Sequence, residues 1–147
     1  MGTHRAVPNA AIRGSFPLDP RAPAEARRSL ASLGGVVPPE VQIDLALLVS
    51  EVVTNSVKHS ARPDQNVDVS IRAGPDVVRV EVRDGGPGFE PIPLAAAPPP
   101  GGGGWGLFIV DRLATQWGTK PGGVVWAELD YPATRRRLAG QVGSSRG

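Results

Sequence analysis

The sequence predicts an α+β fold, a two-layer sandwich in which a mixed, mainly antiparallel sheet is covered on one face by helices. Three observations predict it. First, Val67, Val69 and Ile71 alternate with Asp68, Ser70 and Arg72, and after Gly74-Pro75-Asp76 the residues Val78, Val80 and Val82 alternate with Arg79, Glu81 and Arg83. Strict alternation marks half-buried strands, and so short a connection forces an antiparallel pair, because a parallel crossover needs a dozen or more residues. Second, the run Pro39–Ser60 places Leu45, Val49, Val52, Val53 and Val57 on one broad side at helical spacing. Third, the order strand, helix, helix, strand, strand, loop, helix, strand sets sequence-adjacent strands beside helices able to cover one face.

In chain order, residues 1–9 carry no periodicity and are expected to be disordered. Ala10–Phe16 reads as a first strand ended by Pro17. Asp19 offers an N-cap with Pro20 at the first helical position, and Ala22, Ala26, Leu30 and Leu33 mark one face of a helix that Gly34-Gly35 stops. The long helix from Pro39 follows, and Ala61-Arg62-Pro63-Asp64 breaks it. After the hairpin, proline and glycine dominate from Gly85 to Gly104, where no regular element survives. Trp105–Trp117 reads as a third helix closed by Gly118, and Val124–Leu129 as a last strand after the turn Pro121-Gly122-Gly123. Residues 132–147 form a basic tail, expected to be disordered, so that residues 10–131 make up one folded unit.

Composition removes several function classes. With no cysteine and only His4 and His59 among 147 residues, neither a disulfide framework nor a thiolate or histidine metal cluster can form. The first residues lack the apolar core of a signal peptide, and no run approaches the ~18 apolar residues of a membrane span. The expected location is the cytoplasm, with no membrane contact. The pI of 9.7 accompanies a formal charge of only +2, and much of the excess sits in Arg135, Arg136, Arg137 and Arg146. Aromatics at 5%, without basic-aromatic interleaving, argue against a stacking platform for single strands, so no direct nucleic-acid binding is expected. A P-loop and the protein-kinase His-Arg-Asp and Asp-Phe-Gly signatures are missing from the sequence.

The polar residues of the long helix carry chemistry. Asp44, Glu51, Asn55 and Lys58 fall in a narrow stripe opposite the apolar side. Glu51 is a carboxylate able to orient or deprotonate a hydroxyl, and the amide oxygen of Asn55, one turn on, suits a Mg²⁺ whose other ligands are waters and phosphates. Lys58 is placed to neutralise phosphate charge, though a surface lysine is nearly as good a reading. Asp84, at a strand end, can accept a hydrogen bond from the exocyclic amine of adenine, which guanine lacks at that position. Gly86 and Gly88 let the backbone pass close to a ring. The Pro/Gly-rich loop over about residues 89–103 reads as an active-site lid, with a low-complexity linker as the other reading. Gly104 and Gly106 open a helix, whose first N–H groups and positive dipole suit phosphate.

Together these pieces resemble the GHKL ATP-binding (Bergerat) family: Glu51-Val-Val-Thr-Asn55 matches its N box, Asp84-x-Gly86-x-Gly88 its first glycine box and Gly104-x-Gly106-Leu107 its second. Within that family the chain is most similar to the small anti-sigma-factor serine/threonine kinases, over roughly Ala11–Tyr131. The resemblance implies a Bergerat fold, ATP held by the backbone from Gly102 to Leu107, Asn55 as Mg²⁺ ligand, and Glu51 as the group that activates the acceptor hydroxyl. It implies as partners a sigma factor and an anti-anti-sigma protein of STAS type. In the related kinases surfaces near the first helix can contribute to self-association, which would make a homodimer, but in this chain that helix reads better as a packing helix with Arg27 and Arg28 in water. A sensor histidine kinase is not expected, because only 38 residues precede the long helix. The alternative function is a non-catalytic nucleotide-binding module that regulates by sequestering a partner. One departure bears on it: the family often has a Thr near the phosphates in the final strand, where this chain has Val124, so a phosphate hydrogen bond is expected to be lost.

Overall fold

The computed structural model describes residues 10–59, 65–85 and 105–131. Among the described residues there are five strands: β1 (Ala10–Pro17), β2 (Asn66–Ala73), β3 (Val77–Arg83), β4 (Gln116–Lys120) and β5 (Val124–Asp130). They form a single sheet in the order β1-β2-β3-β5-β4, and every strand pair is antiparallel. Three helices, α1 (Ala22–Arg28), α2 (Pro39–His59) and α3 (Trp105–Leu113), accompany the sheet. The result is the α+β sandwich expected from the alternating patterns, with antiparallel pairing throughout the described strands.

Register divides the sheet into two faces. Val69 lies opposite Val82 and Ile71 opposite Val80, while Val82 and Val80 lie opposite Val125 and Ala127 on the other side. All six are buried, and with Leu45, Leu48, Val49 and Val53 of α2 they build the core between sheet and helices. Because side chains alternate along a strand, the intervening residues Arg13, Asp68, Ser70, Arg72, Arg79, Glu81, Arg83, Trp126, Glu128 and Lys120 share the opposite face. Tyr131 closes the far end. Its hydroxyl donates to Gly74 O at 2.6 Å and its N–H to Asp76 O at 2.9 Å, so the end of β5 is tied to the β2–β3 turn.

Two elements differ from the sequence reading. The Asp19 carboxylate does not cap a helix starting at Pro20. It accepts the Arg21 N–H at 2.8 Å in a local turn, and α1 begins three residues later with Pro23 in its first turn. The helical path then tightens into a 3₁₀ segment, Ser29–Leu33, although Ala22, Ala26, Leu30 and Leu33 are all buried as expected. The third helix stops at Leu113 instead of running to Trp117. Thr115 N–H donates to Glu128 O at 2.7 Å, and Gln116–Lys120 pairs with β5 as an additional edge strand. The signal was present: Gln116, Trp117 and Thr119 alternate before Gly122-Gly123, a pair of residues at φ +89° and +72° that turns a hairpin. The tails over residues 1–9 and 132–147, for which disorder is expected, the helix break over residues 61–64 and Ser60 lie outside the described residues.

Candidate nucleotide site

The site is built on α2. Its buried side, centred on Leu45, Val49, Val52 and Val53, fixes the rotation of the helix over β3 and β5, which it contacts. On one flank Arg27 of α1 donates to the Ser50 hydroxyl at 3.0 Å. α1 thus occupies that side, and by helical spacing Asp44, Glu51 and Asn55 fall on the other flank. α3 also packs on α2. Glu51 and Asn55 are half-buried and Lys58 is exposed.

Below α2, the central strand β3 delivers Asp84 at its end. The Asp84 N–H donates to Gly123 O at 3.1 Å, which locks this carboxylate to the β4–β5 turn, and its side chain is half-buried. Gly85 follows at φ +74°, a left-handed conformation that favours glycine and turns the chain sharply away from the sheet. A Cβ there would also stand 3.3 Å from Gln65 Oε1. The glycine after Asp84 is thus required by backbone geometry, a different reason from the close approach to a ligand expected of Gly86 and Gly88.

α3 supplies the third piece. Val110 is fully buried, and the Trp117 indole N–H donates to Asp111 Oδ1 at 2.9 Å, anchoring the end of the helix to β4. Arg112 lies 4.9 Å over the Phe108 ring. These contacts set the helix axis and hence where its first turn, with Gly106 and the half-buried Leu107, presents backbone N–H groups. Gly86, Gly88, Gly102, Gly104 and the lid over 89–103 lie outside the described residues.

The donor set suits a metal carried by a nucleotide. Among the described residues no group of three or more His, Asp or Glu stands close enough to hold an ion by itself. Asn55, a half-buried amide, would hold the ion by a single oxygen, with waters and phosphates as the other ligands of a Mg²⁺. The ion would supply charge neutralisation for the phosphates.

The position of Val124 differs from expectation. Val124 lies opposite Arg83 on β3 and Lys120 on β4, on the face away from the helices, while Val125 faces α2 opposite Val82. Both follow Gly123, whose carbonyl accepts the Asp84 N–H, and the register sets Val124 on the opposite face of the sheet from the one under α2.

Sequence reasoning also passed over the polar network on the uncovered face. Arg79 bridges Glu81 and Glu128, each at 2.9 Å, and stacks 4.4 Å over Trp126, while Lys120 reaches Glu81 at 3.2 Å. Burial alone would raise the Glu81 pKa, but the hydrogen bonds and charges of Arg79 and Lys120 outweigh it and hold the carboxyl below its usual range. The signal was the polar half of each alternating strand.

No helix is long and apolar enough to cross a membrane among the described residues. No curated protein matches the chain. Residues 16–127 match the histidine kinase-like ATPase domain, a span that runs from the end of β1 to β5 and takes in α2, Asp84 and α3. With the N-box pair on α2, an aspartate ending the central strand and a glycine-opened helix beside them, the chain belongs to the histidine kinase-like ATPase domain family and is an ATP-binding GHKL module.

Proposed function

We propose that the protein is an ATP-dependent serine/threonine kinase of the anti-sigma type, which holds a sigma factor and phosphorylates a Ser or Thr of a STAS-type anti-anti-sigma protein in the cytoplasm. The observation that carries this reading is Glu51: a half-buried carboxylate one helical turn from Asn55, on the flank of α2 away from the one Arg27 of α1 occupies. A module that only held nucleotide would need Asn55 and Asp84 but no carboxylate there. Glu51 takes the proton of the acceptor hydroxyl as its oxygen bonds to the γ-phosphorus. The bond from that phosphorus to the β–γ bridging oxygen breaks, and ADP leaves. Positioning and charge neutralisation supply most of the rate in such transfers, with Lys58 and the first turn of α3 placed to neutralise phosphate charge. Asn55 would hold the Mg²⁺ that comes with the nucleotide, and the ion would supply further charge neutralisation.

The test is incubation with Mg-ATP and a panel of STAS-type proteins, with phosphate transfer read by mass spectrometry. Glu51→Ala should slow transfer by about 10²–10⁴-fold and leave ATP affinity near wild type, whereas Asn55→Ala should weaken Mg-ATP binding itself. Wild-type protein that binds Mg-ATP yet phosphorylates no member of the panel would leave only the sequestration module.

A further inference from the structure

The sheet face away from the helices carries charge that the nucleotide site does not use. Three arginines, Arg13 on β1, Arg72 on β2 and Arg83 on β3, are exposed and have no hydrogen-bond or ion-pair partner among the described residues. Register spaces them. Arg72 lies opposite Ala11 and Arg79, Arg13 opposite Ser70, and Arg83 opposite Asp68. With strands about 4.8 Å apart and about 3.4 Å per residue, the backbone positions of Arg13 and Arg72 are roughly 8 Å apart, and those of Arg72 and Arg83 roughly 14 Å.

The space between them is concave. One groove of about 600 Å³ is lined by Arg13, Ser15, Asp68, Ser70, Glu81 and Arg83. A second concavity of about 260 Å³ continues it, sharing Arg13, Ser70 and Glu81 and adding Arg72 and Arg79. Most acids on this face are matched by cations: Glu81 by Arg79 and Lys120, and Glu128 by Arg79. Asp68 accepts the Ser15 hydroxyl at 2.7 Å. That leaves three unmatched arginines around one unmatched carboxylate in the groove. Arg72 lies directly opposite Arg79, whose own charge is taken up by Glu81 and Glu128, so no carboxylate is left over for Arg72.

We propose that this groove docks an extended, acidic segment of a protein partner, with carboxylates on alternate residues set against Arg13, Arg72 and Arg83. In an extended chain, positions i and i+2 stand about 7 Å apart and i and i+4 about 14 Å, which fits the arginine spacing. A nucleic acid fits poorly, because its closely spaced phosphates would run over Asp68, Glu81 and Glu128. The groove is on the opposite side of the sheet from α2, so segment and nucleotide are held together without competition. Arg83 also lines a third concavity with Asp84 and Gly85, so the segment ends one residue from the base-binding carboxylate. The proposal does not rest on kinase activity.

The test is a titration of the full chain with capped hexaglutamate peptide, followed by backbone amide shifts in 50 mM and 300 mM NaCl, with and without Mg-ATP. The expected result is saturable shifts around Arg13, Ser70, Arg72 and Arg83, unaffected by Mg-ATP, at least tenfold weaker in high salt and at least tenfold weaker in the Arg13→Gln/Arg72→Gln variant. That variant keeps exposed polar side chains and should retain wild-type melting temperature and ATP affinity. Should it lose its fold, single Arg13→Gln and Arg72→Gln variants make the same comparison with about threefold losses each. Equal peptide affinity in the variants, shifts confined to α2 and α3, or full reproduction of the shifts by inorganic phosphate would overturn the proposal, the last by showing a simple anion site.

Discussion

Val124→Thr tests which face of β5 meets the nucleotide. Val124 is only 2% exposed and sits between Arg83 and Lys120 on the side away from the helices, whereas Val125, 6% exposed, faces α2 opposite Val82. Thr is nearly isosteric with Val, so the backbone should not move. What changes at position 124 is the loss of a buried methyl, about 0.8 kcal/mol, and the burial of a hydroxyl, about 1–3 kcal/mol when unpaired and less if it meets a partner. A net loss of roughly 1–4 kcal/mol follows, the low end if the hydroxyl finds a partner, lowering the melting temperature by roughly 3–15 °C. ATP affinity, measured by calorimetry, should stay within twofold. Val125→Thr, by contrast, buries its hydroxyl in the core under α2 opposite Val82, so it should destabilise at least as much and leave ATP affinity within twofold. Tighter ATP binding by Val124→Thr would mean that β5 is assigned to the wrong face.

Three further outcomes are expected. Asp84→Asn should weaken ATP binding and narrow the preference for ATP over GTP, because it replaces a charge-assisted acceptor; equal ATP and GTP affinity in the unmutated protein would refute the adenine role of Asp84. Tyr131→Phe removes the donor to Gly74 O and should cost about 1–2 kcal/mol, seen as a shift of the urea midpoint without loss of ATP binding. Glu81, whose carboxyl is held below its usual range, contributes stability at pH values above the ordinary Glu range and loses it as the pH falls through its lowered folded value; melting temperatures from pH 6 to 3 should therefore fall less steeply in Glu81→Gln than in wild type.

How much of this was legible in the sequence depends on the kind of signal. The β2–β3 hairpin and the buried side of α2 were readable because period 2 and period 3.6 are direct consequences of side-chain direction, and one-sided burial enforces them. The boundaries of α1 and α3 were not. Asp19 and Pro20 form a good start signal, yet the carboxylate finds the Arg21 N–H first, and a local turn wins over a cap. Gln116–Lys120 is too short for its alternation to outweigh the helical pattern before it, and becomes a strand because β5 offers it an edge. For the site, the spacing of Glu51 and Asn55 placed both on one flank of α2, and Asp84 was expected at a strand end. What spacing cannot give is strand parity relative to a partner, and for that reason Val124 was set against the phosphates when pairing with Arg83 puts it on the uncovered face.

Parity also explains why one small sheet can serve two ligands. A strand buried on one face only has half its positions committed to the core, and in β2 and β3 these are Val67, Val69, Ile71, Ala73, Val78, Val80 and Val82. The other half are free of packing demands, yet they are not filled with the solvating mixture that indifference would leave. Arg79 is held between two carboxylates and an indole, and the Trp126 ring lies against Gly118, where a Cβ would approach within 3.0 Å of it. Ordering an arginine and a tryptophan at a surface costs side-chain entropy, and the ion pairs there return little. A rigid, charged surface beside unmatched arginines is therefore weakly accounted for by stability alone. It is what docking requires, because side chains already fixed lose little freedom when a partner arrives. Asp84 sits where the two halves meet, at the end of a strand whose inner positions pack under α2 and whose last outer residue, Arg83, lines the groove.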